Sequence, residues 1–175
     1  MNTDNRRRTE YRKRADDMKE KVLDLRRVTR VMAGGKRFKF RATLGIGDGK
    51  GNVGVGIAKG ADVSQSVQKA KHDAKKHMIK IQLDNRTIAH EVEAKFSAAR
   101  VLIKPASQGH GLKAGGAVRV VLSLAGVKDA TAKCLGRTPN KLTNAMATIE
   151  ALKKLRVRKQ TQAEPKALEV KEATI

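Results

Sequence analysis

Apolar and polar residues alternate through the chain from Val28 to Lys59, and a turn signal divides the run. Leu44 and Ile46 precede Asp48-Gly49, and Val53, Val55 and Ile57 follow it. The pattern predicts two strands joined by a tight loop, where glycine takes the positive φ that such turns require. Upstream, Arg37, Lys39 and Arg41 occupy every second position, opposite Phe38, Phe40 and Ala42, so a strand here carries one basic face. Gly34-Gly35, between Ala33 and Lys36, marks the tip of the preceding strand pair. The period then changes: Val63, Val67, Ala70, Ala74, Met78 and Ile81 form one stripe at helical spacing, with Asp62 placed as N-cap. Lys69, His72, Lys76 and Lys80 project from the other side.

Leu83-Asp-Asn-Arg-Thr87 reads as a junction of turn formers, after which the pattern restarts. Ile88 to Phe96 and Arg100 to Lys104 read as strands, and Gly116 to Ala125 as a short apolar helix that Gly126 ends with a left-handed cap. Val127 to Leu135 returns as a strand. Pro139 suits the first turn of a last helix, with Leu142, Ala145, Met146, Ile149 and Leu152 as its stripe. The expected fold is α+β in two domains. A basic flexible arm occupies residues 1–21, the first domain 22–83, a β-α-β-α second domain 84–157, and a disordered tail 158–175.

Charge decides the kind of partner. Lys plus Arg number 39 against 17 Asp plus Glu, a formal net charge of +22 and a pI near 10.6, which points to a polyanion. Seven basic residues between Arg30 and Lys59 face one acid, Asp48. No run approaches the roughly 18 apolar residues of a membrane span, so no membrane partner is expected. Met1 to Glu10 carries charge where a signal peptide needs an apolar core, so the expected compartment is the cytoplasm. With no Trp, one Tyr and three Phe, there is little to stack bases on, and contacts to backbone and shape are expected. A solvated face remains the alternative for the helix cations and for the arm.

Other chemistry finds little support. Gly49-Lys-Gly-Asn-Val-Gly54 matches the dinucleotide-binding pattern, but a strand follows it where a helix is needed. The loop Lys104-Pro-Ala-Ser-Gln-Gly-His-Gly-Leu-Lys-Ala-Gly-Gly-Ala117 brings glycines, a hydroxyl and two lysines to a helix start, where backbone N–H groups attract an anion. It resembles in outline the phosphate loop of the galactokinase and homoserine kinase superfamily, yet Gly115-Gly116 replaces the serines used there. RNA phosphate is the better guest, with a purely structural glycine turn as the alternative. The four histidines lack metal-ligand spacing, Cys134 is a lone packed thiol, and neither a cofactor nor a metal is expected. Ser107 and His110 lack an orienting acid, so no enzyme activity is expected.

Three blocks carry a family resemblance: Gly47-Asp-Gly-Lys-Gly-Asn-Val-Gly54 with Gly56, Lys59 and Gln68-Lys-Ala70; Pro105-Ala-Ser-Gln-Gly-His-Gly111; and Ala114-Gly-Gly-Ala117 with Arg119 and Ala125-Gly-Val127. In this order they resemble the bacterial small-subunit ribosomal protein S-five family, over about Leu25 to Leu155. Val55, Ala58, Gly60 and Gly136 to Asn140 depart from the usual pattern. The resemblance implies a first domain akin to a double-stranded-RNA-binding fold, with three strands plus a helix. It further implies a structural place in the 30S subunit that supports assembly, with contacts to 16S rRNA and to the fourth and eighth small-subunit proteins. A position bordering the path by which mRNA enters, and an influence on translational accuracy, also follow from it. The loop around Gly34, Gly35 and Lys36 would then lie near the spectinomycin site.

The candidate RNA-binding residues in the first domain are Arg26, Arg27, Arg30, Lys36, Arg37, Lys39, Arg41, Lys50 and Lys59, with Lys69, Lys76 and Lys80 after them. In the second domain they are Lys104, Ser107, Gln108, His110, Lys113, Arg119, Lys133 and Arg137. A free-standing regulator that binds structured RNA is the alternative to a ribosomal role, and a phosphate-loop small-molecule kinase is the remote one.

Overall fold

Two four-stranded sheets and three helices account for residues 18–156, the part of the chain that the computed structural model describes. Residues 1–17 of the expected arm and all of the expected tail lie outside the described residues. The first sheet has strand order β1-β2-β3-β4, from β1 (Lys19–Met32), β2 (Gly35–Gly47), β3 (Asn52–Gly60) and β4 (Ile79–Lys80), all antiparallel. Helix α1 (Val63–Lys76) joins β3 to β4. The second sheet has order β5-β6-β8-β7, from β5 (Val92–Phe96), β6 (Ala99–Pro105), β7 (Leu112–Lys113) and β8 (Ala130–Cys134). Helix α2 (Gly116–Ala125) is the crossover between the parallel pair β7 and β8, and α3 (Lys141–Lys153) follows.

Glycine sets how α1 meets the sheet. Leu44 pairs with Gly56 and Ile46 with Gly54, so these residues share the face that α1 covers. A Cβ on Gly54 would stand 2.5 Å from the Ala74 carbonyl oxygen, one on Gly56 would run into the Ala70 carbonyl, and one on Gly60 would stand 2.7 Å from the Ser66 nitrogen. The helix answers with its smallest residues, burying Ser66, Ala70 and Ala74. The alternating glycines of β3 therefore serve close helix packing, and Gly60, a departure from the family pattern, is one that this packing needs.

Two expectations change, and a third holds with a different side-chain bond. The helical stripe to Ile81 is too long: α1 ends at Lys76 and His77 caps it, because Ile79–Lys80 pair with Asn52 and Val53 as β4 and the Ile81 N–H donates to the Gly51 carbonyl at 2.8 Å. Lys80 is therefore a strand residue. Pro139 stands before α3, and Asn140 is the N-cap, its side chain accepting from the Leu142 N–H at 3.1 Å. Asp62 is the N-cap of α1, but its carboxylate accepts from the Ser64 hydroxyl at 2.5 Å.

One apolar core crosses between the domains. The other face of the first sheet sends Leu23, Val53 and Val55 into the same cluster as Ile103, Val121, Leu122 and Leu152 of the second domain. Ala42, Leu44 and Ile46 with Ala70 and Ala74 form the smaller core under α1. The β2–β3 turn closes the junction: the Gly49 N–H donates to the Leu124 carbonyl at 3.0 Å and the Gly51 N–H to that of Ala125 at 2.9 Å. Carbonyls at the end of α2 thus find donors in the other domain. Among the described residues, no helix is long and apolar enough to cross a membrane.

Candidate nucleic-acid interface

Strand β3 ends at Gly60, opposite Phe40, so β1 and β2 run on alone as a two-stranded ribbon. The six pairs from Arg27↔Phe40 to Met32↔Gly35 extend it by about 17 Å at about 3.4 Å per residue. Gly34 and Gly35 make its tip at φ +88° and +126°.

Register sorts the candidate residues between two faces. Arg26 stands opposite Arg41, Val28 opposite Lys39 and Arg30 opposite Arg37, while Arg41 also stands opposite Lys59. Paired residues and i, i+2 neighbours share a face, so Arg26, Arg30, Arg37, Lys39, Arg41 and Lys59 form one basic surface. Among the described residues, only Arg26 of these six has a carboxylate within ion-pair reach, that of Asp24. Like charges directly opposite one another are destabilising, a repulsion that a polyanion relieves. Arg27 and Lys36 point to the opposite face, where Arg27 lies 4.3 Å from the centre of the Phe38 ring.

Helix α1 covers the reverse side of the first sheet, so Lys69 and Lys76, both exposed, are not brought onto the basic surface. Lys50 is exposed in the β2–β3 turn. There the Asp48 carboxylate accepts from the Lys50 N–H at 2.7 Å, the Asn52 N–H at 3.1 Å and the Asn52 side chain at 2.5 Å. Burial disfavours the charged form of Asp48, but these hydrogen bonds outweigh it and hold the carboxyl below its ordinary range.

The second sheet gathers another group. Its helices cover one face, and Lys104, Lys113 and Lys133 alternate onto the open one, where His110 Nε2 lies 3.1 Å from Thr131 Oγ1. Lys104 shares its charge with Glu91 at 3.3 Å. Arg100, which the alternation Arg100-Leu102-Lys104 could have identified, is on the same face and paired with Glu93. That hydrogen bond holds the Glu93 carboxyl down and pushes the Arg100 guanidinium up.

The glycine-rich loop with Ser107 and Gln108 is clamped from inside. Buried Asp129 accepts from the Gly111 N–H at 2.8 Å, and Arg86 Nε lies 3.1 Å from its other oxygen. Gly109 and Gly111 have φ of +85° and +75°. Arg119 on α2 and Arg137 before α3 are exposed but stand apart from these groups in register and element. Burial pushes the Cys134 thiol up, against thiolate chemistry.

Two family models cover this architecture. One, described as ribosomal protein S5, N-terminal domain, matches residues 18–82, and the other, ribosomal protein S5, C-terminal domain, matches residues 94–165. Small ribosomal subunit protein uS5c of Cyanidium caldarium is 50% identical over 137 residues, which cover 78% of this chain and 81% of that protein. The chain belongs to the ribosomal protein S5 family. As a ribosomal protein S5 homologue it is a structural protein of the small ribosomal subunit and not an enzyme, and RNA binding and a part in translation follow from the family. Its partners are by class rRNA and other ribosomal proteins.

Proposed function

We propose that this chain binds 16S rRNA in the 30S subunit, chiefly through the basic ribbon face, and supports assembly of the particle. The reading extends to contacts with the fourth and eighth small-subunit proteins, a position beside the path by which mRNA enters, and an influence on decoding accuracy. The observation that supports it best is the run of like-charged cross-strand neighbours, Arg30 with Arg37, Arg26 with Arg41 and Arg41 with Lys59. Regular strand spacing and phosphate-directed donors suit backbone contact, which positions a protein on RNA without reading sequence. The open face of the second sheet, with Lys104, His110, Lys113 and Lys133, and the outer side of α1, with Lys69 and Lys76, are separate contact surfaces in this reading. The tip at Gly34, Gly35 and Lys36 is the loop beside the spectinomycin site.

Sedimentation of the tagged chain from lysate through a sucrose gradient tests the proposal. The expected result is co-migration with 30S particles that persists after washing at moderate salt. Recovery in light fractions, still bound to structured RNA, would favour a free-standing regulator instead. The same gradient on fractionated cells checks the expected cytoplasmic compartment.

A further inference from the structure

The basic face does not end inside the first domain. Strand β1 carries a bulge at Leu23, where the register shifts between Val22 and Asp24. The bulge lets Leu23 enter the core shared with the second domain while Asp24, opposite Thr43, lies on the face that holds Arg26 and Arg41. The Asp24 side chain is only 14% exposed, and its carboxylate accepts from Arg26 Nε at 2.6 Å. Its other oxygen lies 3.8 Å from the Nζ of Lys141, the first residue of α3 in the second domain. Held by Nε, Arg26 keeps its terminal guanidinium nitrogens for another ligand, and Arg26 and Lys141 are 53% and 56% exposed.

Lys141, Arg26, Arg41 and Lys59 thus form one line across the domain boundary, with a single carboxylate among them. Neighbouring strands lie about 4.8 Å apart, so the three strand residues alone span about 10 Å. The second domain stands on the same sheet face further along, where a Cβ on Gly45 would lie 2.9 Å from Leu124 Cδ1. The line therefore runs in the corner between ribbon and second domain, where four cations against one carboxylate set a positive local field.

We propose that this corner is a composite site for a run of RNA phosphates held by both domains at once, with Lys141 as the second domain's binding residue and Asp24 as a positioning residue for Arg26 and Lys141. The proposal rests on the RNA-binding reading of the ribbon face. Regular cationic spacing beside the exposed Ile57 suits a phosphate run rather than an acidic protein, because one apolar side chain does not make the apolar core that such an interface needs.

The test measures binding of the full chain to naked 16S rRNA over a salt series, with melting temperature followed in parallel. Lys141→Gln is expected to lower the slope of log affinity against log salt by about 0.9 and Lys141→Arg to restore it. Arg41→Gln reports on the ribbon, and Lys153→Gln, on the same helix but paired with Glu150 at 2.7 Å, reports on charge lost elsewhere. Loss in Arg41→Gln with wild-type binding in Lys141→Gln overturns the composite site and leaves the ribbon reading standing. Wild-type binding in both overturns both. Equal loss in Lys153→Gln marks a general charge effect and also overturns the composite site. Asp24→Asn raises the net charge by one yet is expected to weaken binding, and tighter binding would remove its positioning role.

Discussion

The Gly51 N–H donates to the Ala125 carbonyl at 2.9 Å, so a turn of the first domain serves as the C-terminal cap of a helix in the second. Gly126, at φ +94°, ends that helix against the backbone of Gly49, and a Cβ there would run into the Gly49 carbonyl. Gly126→Ala is therefore expected to cost about 2 kcal/mol or more, from the backbone conformation and the lost approach together. Gly116→Ala is the contrast: its Cβ would meet nothing within 4 Å and its φ is ordinary, so it should be neutral or raise stability by up to about 1 kcal/mol. Urea unfolding of the three proteins measures both.

The shared core makes a further demand on unfolding. Leu23, Val53 and Val55 are buried in one cluster with Val121, Leu122 and Leu152. Circular dichroism at helical and strand wavelengths should report coincident midpoints, as a single cooperative unit requires. Two resolved midpoints, each moved by substitutions in one domain only, would mean that the domains unfold independently.

Salt reads out the basic face. With about six phosphate contacts, affinity for 16S rRNA should fall on the order of a thousandfold between 50 and 200 mM salt. Lys39→Ala, exposed on the ribbon, should weaken binding at all sequences alike and lower the salt slope by about one. Binding insensitive to salt would exclude this mechanism.

Asp48 gives the acid end of the stability profile a defined sign. Its carboxyl is held below the ordinary value by Asn52 and Lys50, against the effect of burial. A depressed group stabilises the fold above its unfolded pKa, about 3.9, and that contribution is lost as pH falls through the lower folded value. Asp48→Asn should thus melt below the wild type at pH 6, by about 1 to 2 kcal/mol, and the difference should narrow as pH falls below the unfolded pKa of about 3.9. A gap that does not narrow at all as pH falls below about 3.9 would place the effect in packing.

The ribbon tip tests its placement in the particle. A Cβ on Gly35 meets nothing within 4 Å, but φ of +126° disfavours any side chain, so Gly35→Val should bend the tip without disturbing either core. Ribosomes with Gly35→Val or lacking Lys36 are expected to assemble and to show altered spectinomycin sensitivity. Normal assembly with unchanged sensitivity would disprove the loop's position and leave the family assignment in place.

Period and charge in the sequence determined much of this protein: the strand pair around Asp48-Gly49, the basic alternation Arg37-Lys39-Arg41, the left-handed stop at Gly126 and the excess of cations. These are local properties, set by side-chain alternation and by the φ that glycine tolerates. Only the tertiary structure decided that α1 yields to β4 at Ile79, because the gain from pairing with Val53 comes from a residue far back in the chain. It alone decided that Gly54, Gly56 and Gly60 admit a helix, since close approach involves two elements at once. The place of Lys141 beside Asp24 belongs to the same class. In the sequence it is one lysine among many, and it joins the ribbon cations only because a bulge in β1 and the docking of α3 bring residues of both domains to one corner.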